Sequence, residues 1–185
     1  MITKGIFKSD VNATVAFDIF EYKAKIEDKI FTLKIWDTCG SEQFSSTTTS
    51  LYKDSSLAII VYSIDNNKSF ENVSKWVNLL KTNSSPETIV FLVGNKCDLE
   101  DKRVVPKDEG EKLKENYNFG FFTETSAKDN IFVEELFKQA IIKLYEQIKK
   151  YQSKEKEKRI DFQKKGKNIN LEKNKKNVKK KKKFC

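Results

Sequence analysis

The chain has 185 residues and a formal net charge of +9, enough length for one domain of about 150 residues and a tail. Residues 149–185 hold 17 Lys and Arg against 4 Asp and Glu, net +13, so residues 1–148 carry net −4. The positive charge belongs to the tail rather than to a folded face, so the sequence indicates no nucleic-acid partner. No apolar run reaches the ~20 residues of a membrane span, and the absence of His excludes a Cys/His zinc site.

Apolar periodicity predicts strands and then a helix in the first part of the chain. Residues 15–26 and 29–36 alternate apolar and polar side chains around residues 27–28, which predicts a β-hairpin. Residues 57–62 are mostly apolar and predict a buried strand. A helix is predicted over 69–80, because one face collects apolar side chains at helical spacing. These inward side chains are Phe70, Val73, Trp76, Val77 and Leu80.

The same alternation continues beyond this helix. Residues 88–94 form an apolar, β-branched run that predicts a strand buried on both faces and ended by Gly94. A polar helix is predicted over 107–117, a strand and turn over 121–128, and a helix over 131–148. The last helix would turn inward Leu136, Ala140, Ile141, Leu144 and Ile148. Strands alternating with helices predict an α/β fold with a doubly wound, mostly parallel sheet.

A polar run stands at the end of the strand over 88–94, and it reads Asn95-Lys96-Cys97-Asp98. Guanine presents two adjacent donors, its N1–H and its exocyclic amine, and the carboxylate of Asp98 can accept both. Adenine has no N1–H to offer, and charge-assisted hydrogen bonds are stronger than neutral ones. The run therefore predicts a guanine-reading loop, although its composition alone is also that of a polar surface turn.

Two further strand ends carry motifs, D-T-C-G at residues 37–40 and S-A-K at residues 126–128. In this order and spacing the three motifs resemble those of the Ras superfamily of small GTPases. The Rab branch is indicated by the runs at residues 43–48, 51–54 and 60–65. The resemblance covers residues 7–148 and implies a P-loop NTPase-like (Ras-like) fold.

The resemblance implies a site for GTP or GDP with Mg²⁺. Thr14 and Asp37 would hold the metal, although Thr14 is also an ordinary residue for the entry of a strand. Gly40 and Ser41 would be the catalytic positions, and Ser41 stands where the family has Gln to orient the attacking water. Because the Ser side chain is shorter, the resemblance implies slow hydrolysis. The nucleotide-binding residues would be Asn95, Lys96, Asp98, Ser126, Ala127 and Lys128.

Individual roles in the base site also follow from the resemblance. Ser126 would orient Asp98, the Ala127 amide would meet the guanine oxygen, and Asn95 would bridge two loops. Rab effectors and regulators are the implied protein partners. The positions at which effectors read aromatic side chains match Ile19, Trp36 and Leu51, of which one is aromatic.

The phosphate-binding run G-x-x-x-x-G-K-[ST] does not occur in these 185 residues. By resemblance, residues 1–150 are expected to form a truncated small-GTPase domain that lacks the first strand and first helix. Loss of that strand would leave two inner sheet edges unpaired. Two interpretations stay open. In the first, the chain is an N-terminally truncated guanine-nucleotide switch of vesicle trafficking, and its nucleotide binding and hydrolysis are impaired. In the second, it is a non-enzymatic interaction module that binds no nucleotide and is tethered to a membrane.

Residues 151–185 are expected to form a polybasic membrane-targeting tail, disordered or a frayed helix. Five lysines from Lys179 to Lys183 precede Phe184 and Cys185, and an anionic membrane would attract them. By resemblance, Cys185 would carry a prenyl lipid, although the family commonly has two such cysteines. The implied location is the cytoplasmic face of endomembranes, Golgi or vesicles, or the cytosol without the lipid. A solvated lysine run with an incidental Cys is the alternative.

Overall fold

The structure is a computed structural model that describes residues 14, 17–40 and 51–156. Strands β1 (Phe17–Ile26) and β2 (Lys29–Thr38) pair antiparallel, from Phe17 opposite Thr38 to Ile26 opposite Lys29. Glu27 in the two-residue turn has φ 54°, the left-handed region that tight hairpin turns use. The predicted hairpin is thus confirmed, except that the positions 15 and 16 lie outside the described residues.

Strands β3 (Leu57–Ser63), β4 (Ile89–Asn95) and β5 (Phe121–Thr125) form a parallel sheet in the order β3-β4-β5. Parallel pairing requires a crossover between strands, and helices supply it. Helices α1 (Asn67–Glu71) and α2 (Val73–Asn83) connect β3 to β4. A 3₁₀ helix (Cys97–Lys102) and helix α3 (Lys107–Tyr117) connect β4 to β5, and helix α4 occupies 133–156.

Apolar layers cover both faces of this sheet, which confirms the doubly wound α/β prediction. Alternate strand residues point to opposite faces. One face packs Ile60, Tyr62 and Leu92 against α2, and the other packs Phe91 and Val93 against α4. The helix residues buried in these two clusters are Val73, Val77, Leu80, Leu136, Phe137 and Ala140, and Ile141 of α4 is also buried. The side chains of Tyr22, Leu33 and Ile35 from the hairpin also pack on the α4 side.

The two sheets remain separate in the part of the chain that the structure describes. Strand β2 pairs with β1 and strand β3 pairs with β4, and no ladder joins β2 to β3 among residues 17–40 and 51–156. Both sheets nevertheless contribute side chains to the apolar cluster on α4. The expected loss of a central strand stays a prediction, because residues 1–13 lie outside the described residues.

Several predicted boundaries need correction. The helix expected over 69–80 is two helices, α1 and α2, which meet at Asn72, a residue type with low helix propensity. Helix α4 begins at residue 133 rather than 131 and continues through 156. Ile148, expected to face inward, is 45% exposed. Val61 is 54% exposed, so the prediction of a fully buried β3 is wrong at that residue.

Gly94 does not end β4, because the strand continues to Asn95 and the left-handed turn residue is Lys96, with φ 66°. Gly94 is instead required by packing, since a Cβ there would lie 2.8 Å from the Tyr62 hydroxyl. The same hydroxyl lies 2.7 Å from where a Cβ on Gly110 of α3 would stand. Two glycines therefore border the Tyr62 hydroxyl, which is buried and has no hydrogen-bond partner among the described residues.

Two compact units divide the chain, Met1–Leu144 and Tyr145–Cys185, and their boundary falls within α4. The described part of the second unit, residues 145–156, is helical, and the Lys149 ammonium lies 4.2 Å from the centre of the Tyr145 ring. None of the helices within the described residues is long and apolar enough to cross a membrane. The predicted lysine run and Cys185 lie outside the described residues.

Candidate functional site

The candidate base-reading residues lie at the carboxyl ends of β4 and β5. Asn95 ends β4 and stands opposite Thr125, the last residue of β5, so the two following loops leave the sheet side by side. Ligands of open parallel sheets bind at this kind of edge. The Asp98 loop continues from β4 and the Ser126 loop continues from β5.

The Asp98 carboxylate is held in one orientation. The Ser126 hydroxyl donates to Asp98 Oδ1 at 2.6 Å, and Ser126 itself accepts from the Asp129 amide at 3.0 Å. Ser126 is fully buried, and the Asp98 side chain is 9% exposed. The Lys128 ammonium lies 3.9 Å from Asp98 Oδ2. The contact expected between Ser126 and Asp98 is therefore present, and the carboxylate retains lone pairs for further donors.

Asn95 bridges the two loops, as the resemblance implied. Its Oδ1 atom accepts from the Thr125 hydroxyl and from the Ala127 amide, each at 3.2 Å. The Ala127 amide was expected to meet the guanine oxygen. It would have to share or exchange its bond to Asn95 to do so. The role of Ala127 in base contact stays a prediction.

Lys96 adopts the left-handed conformation, φ 66° and ψ 38°, which is uncommon for a residue with a side chain. Its ammonium lies 3.4 Å from Asp65 Oδ1. The Ser63 hydroxyl also donates to Asp65 and, with the charge of Lys96, holds the pKa of Asp65 below its usual value. Lys96 is half exposed, so its stem is accessible beside the loop that bears Asp98.

The hairpin carries the candidate metal-binding and catalytic residues. Asp37 of β2 stands opposite Asp18 of β1, and its pKa is raised by partial burial and then by the charge of Asp18. A Cβ on Gly40 would meet no atom within 4 Å, so the described residues do not by themselves require glycine there. Thr14 is half-buried outside regular secondary structure, and Ser41 lies outside the described residues.

Two hard oxygen donors, the Asp37 carboxylate and the Thr14 hydroxyl, suit Mg²⁺, which binds few protein groups and completes its shell with water and phosphate. No group of three or more His, Cys, Asp or Glu that could hold a metal occurs among the residues described here. No hydrogen bond or ion pair links Asp37 or Gly40 to the base-reading loops in the described ranges.

An apolar surface on the hairpin coincides with the expected effector positions. Ile19 and Trp36 are directly opposite each other across β1 and β2, and they are 52% and 42% exposed. The Phe17 ring packs on Trp36 with the ring centres 5.3 Å apart. Leu51, the third expected position, is half-buried in a helical turn at residues 51–53.

Sequence reasoning missed the polar groups behind the base-reading loops. Arg103, Glu100 and Glu124 form a cluster beside them, and Asp65 receives the Lys96 ammonium. The Lys96–Asp65 and Arg103–Glu124 pairs join residues 31 and 21 positions apart, so no local pattern predicts them. The one available signal was Glu124, a charged residue in an otherwise half-buried strand. Two free cysteines lie in the motif loops, of which Cys39 is buried and Cys97 is half-buried.

Comparisons with known proteins agree with the motifs and the fold. The family model described as "Ras family" matches residues 1–147 of this chain. The Arabidopsis thaliana Ras-related protein RABA6a is 38% identical over 146 residues, 79% of this chain and 62% of that protein. Rab-10 of Diplobatis ommata is 41% identical over 131 residues, 71% of this chain and 65% of that protein. RABA6b of Arabidopsis thaliana is 39% identical over 140 residues.

The chain therefore belongs to the Ras family of small GTPases. Its Rab-named relatives confirm the resemblance to the Rab branch that the motifs indicated. In each of these alignments the chain spans less than two thirds of the relative's own length.

Proposed function

We propose that this chain is a Rab-like guanine-nucleotide switch of vesicle trafficking, and that a polypeptide of these 185 residues binds and hydrolyses the nucleotide weakly. The observation that carries the proposal is the fixed Asp98 carboxylate, held by Ser126 at 2.6 Å and close to Lys128. A nearly buried carboxylate with free lone pairs at the edge of a parallel sheet can accept two adjacent donors, which guanine supplies.

Selectivity for guanine would come from positioning. Asp98 would accept the N1–H and the exocyclic amine, while Lys96 and Lys128 would lie along the nucleotide. Asn95 would hold the two loops in register through Thr125 and Ala127. Adenine would leave the buried carboxylate without its donors, and a charged group left unpaired in this way is costly.

The switch would act through the two nucleotide states, since GTP and GDP stabilise different conformations and effectors bind one of them. Asp37 and Thr14 would hold Mg²⁺, which when bound would neutralise phosphate charge. Ile19 and Trp36 would form part of the effector surface, because they are apolar, exposed and adjacent. Ser41 is too short to place water as Gln does, so hydrolysis would be slow even with bound GTP.

The second candidate function is a nucleotide-free interaction module tethered to a membrane. It is favoured by the absence of a G-x-x-x-x-G-K-[ST] run from these 185 residues and by the two sheets that share no ladder in the described ranges. The hairpin surface formed by Ile19 and Trp36 does not need a nucleotide in order to be exposed. The two candidates differ in one measurable property, selective binding of guanine.

The experiment is an NMR titration of the ¹⁵N-labelled chain with GMP and, in parallel, with AMP. GMP should bind more tightly and shift the amide signals of Ala127 and Asp129. The variant Asp98→Asn should lose about 10- to 100-fold in GMP affinity, the effect of a hydrogen bond to a charged group. Equal shifts with GMP and AMP would overturn guanine selectivity and favour the nucleotide-free module.

The tail would carry the protein to anionic membranes at the cytoplasmic face of endomembranes. Its net charge of +13 over residues 149–185 gives a salt-sensitive attraction, and a lipid on Cys185 would add salt-resistant binding. Fractionation of wild type and Cys185→Ser at low and high salt, with intact mass, tests this. If both proteins wash off alike and the mass shows no adduct, the lipid proposal is wrong and the chain would be cytosolic.

A further inference from the structure

We infer that Arg103 is a positioning residue for guanine recognition, which clamps the loop that bears Asp98 to the strand that bears Ser126. The inference rests on the proposed function and adds to it a residue that touches neither base nor phosphate. Its basis is the set of contacts made by one guanidinium group.

Arg103 uses every donor of its guanidinium. Nη1 and Nη2 donate to the two carboxylate oxygens of Glu124 at 2.7 and 2.9 Å. Nε and Nη2 donate to the two oxygens of Glu100 at 2.8 and 2.7 Å. Nη1 also donates to the Val105 carbonyl at 3.0 Å. Five N–H groups thus make five hydrogen bonds, an arrangement that only the planar guanidinium fork can satisfy.

The partners of Arg103 flank the base-reading residues. Glu100 lies two positions after Asp98 in the 3₁₀ helix, and Glu124 lies two positions before Ser126 at the end of β5. The guanidinium therefore joins the two segments that the 2.6 Å bond between Ser126 and Asp98 also joins. The contacts of Arg103 and the hydrogen bond between Ser126 and Asp98 thus connect the same two segments.

Burial makes the inner pair rigid. The side chains of Arg103 and Glu124 are 17% and 11% exposed, whereas that of Glu100 is 67% exposed. An ion pair shielded from water is screened little by salt, and breaking it leaves an uncompensated charge. Glu124 is thus the anchoring partner, and Glu100 completes the orientation from the solvent side.

Geometry explains why loosening this clamp would reduce guanine binding. Asp98 must place both oxygens within hydrogen-bond reach of two donors on the same base edge. Impaired hydrogen bonds to a charged group such as this carboxylate reduce affinity on the order of 10- to 100-fold. Because the Ser126 contact would remain, we expect about a 10-fold loss of GMP affinity when the clamp is weakened.

The first test compares Arg103→Lys with Lys112→Met in the full 185-residue chain. Lysine keeps the charge and loses the fork, so it cannot hold both carboxylates bidentately. Lys112 is the matched control, because its ammonium also contacts two carboxylates, those of Asp108 and Glu109, each at 2.9 Å, but on its own helix α3. Arg103→Lys should weaken GMP binding about 10-fold, and Lys112→Met should leave it unchanged.

The second test separates positioning from stability. The double variant Arg103→Met/Glu124→Gln removes both buried charges, a change that often restores stability where a single removal lowers it. If Arg103 positions the loops, the melting temperature should recover toward wild type while GMP affinity stays about 10-fold low. Recovery of affinity together with melting temperature would overturn the inference and leave a purely structural pair.

A third readout needs no ligand. The amides of Ala127 and Asp129 donate inside the site, to Asn95 and to Ser126. Their hydrogen exchange should rise in Arg103→Lys and not in Lys112→Met, and unchanged exchange would contradict the clamp.

A wild type that does not prefer GMP to AMP overturns the proposed function and the inference with it. A wild type that prefers GMP, with Arg103→Lys binding it equally well, overturns the inference alone.

Discussion

The two regions that the resemblance assigns to the nucleotide, one at the ends of β4 and β5 and the other at the end of β2, differ in how far their residues are held by contacts. At the ends of β4 and β5, Asp98, Asn95 and Ser126 are held by hydrogen bonds of 2.6 to 3.2 Å and by a buried ion pair behind them. At the end of β2, Asp37 faces the like charge of Asp18, and no described residue comes within 4 Å of a Cβ placed on Gly40. The candidate base-reading region is ordered by contacts among the described residues, whereas the candidate metal-binding region brings two like charges together.

From this comparison we expect the 185-residue chain to be selective for guanine but to bind the nucleotide weakly. Titration of the 185-residue chain with GDP and Mg²⁺ should give a Kd above about 1 μM, that is, less than ~8 kcal/mol of binding free energy. The physical reason is that no phosphate-cradling run occurs in this sequence. Isothermal calorimetry measures this directly, with ADP as the control for base selectivity. Sub-micromolar binding of GDP would show that the phosphates are held by residues we have not identified.

The base-reading region also contains a strained residue that can be relaxed. Phe132, directly before helix α4, has φ 55° and is 60% exposed, although an aromatic residue disfavours this backbone conformation. Phe132→Asn should raise the free energy of unfolding by about 1 kcal/mol, because Asn tolerates the left-handed region. Urea unfolding measures this difference in free energy, provided that both proteins show the same dependence on urea concentration.

The control for Phe132→Asn lies two residues earlier in the same loop. Asn130 has φ 56° already, so Asn130→Phe should destabilise by a similar ~1 kcal/mol. A Phe132→Asn variant no more stable than wild type would show that the aromatic side chain offsets its own backbone strain.

The smallest effect is expected in the hairpin, from Asp18→Asn. The raised pKa of Asp37 means that the folded state holds this proton more tightly than the unfolded state. Its contribution to stability is therefore complete below the unfolded pKa and is lost as pH rises through the folded pKa. Removing the charge of Asp18 should lower the pKa of Asp37 and raise stability at pH 7 by less than ~1 kcal/mol.

A carboxyl NMR titration of Asp37 follows this change, and urea unfolding at pH 3 and pH 7 gives its energetic counterpart. Asp28→Asn in the turn is the control, because that carboxylate is not among the causes of the Asp37 shift. A pKa of Asp37 that is the same in wild type and Asp18→Asn would leave burial as its whole cause.

The sequence predicted what depends on local pattern. Helix α3 has the bounds expected from its periodicity, and the hairpin turn falls at the expected pair of residues. The contact of Ser126 with Asp98 was implied by the resemblance, and the parallel sheet brings both loops to one edge. In each case the cause lies within a short window or in the rule that parallel strands end at a common edge.

The rest depended on contacts between distant parts of the chain. Gly94 is explained by the Tyr62 hydroxyl rather than by a turn, and Tyr62 lies 32 positions earlier. The Arg103–Glu124 pair spans 21 positions, so no short window of the sequence contains both residues. Ile148 continues the apolar stripe of α4 in the sequence but is 45% exposed. Periodicity alone does not show which residues of such a stripe are buried.

The enclosed hydroxyl of Tyr62 also gives the protein an optical reporter of its own integrity. Burial and then the charge of Glu124 raise the pKa of this phenol well above its usual value. Of the 6 tyrosines, Tyr62 should therefore ionise only when the sheet and α3 separate. In an alkaline titration followed by phenolate absorbance, the latest step would mark the opening of the core between two glycines.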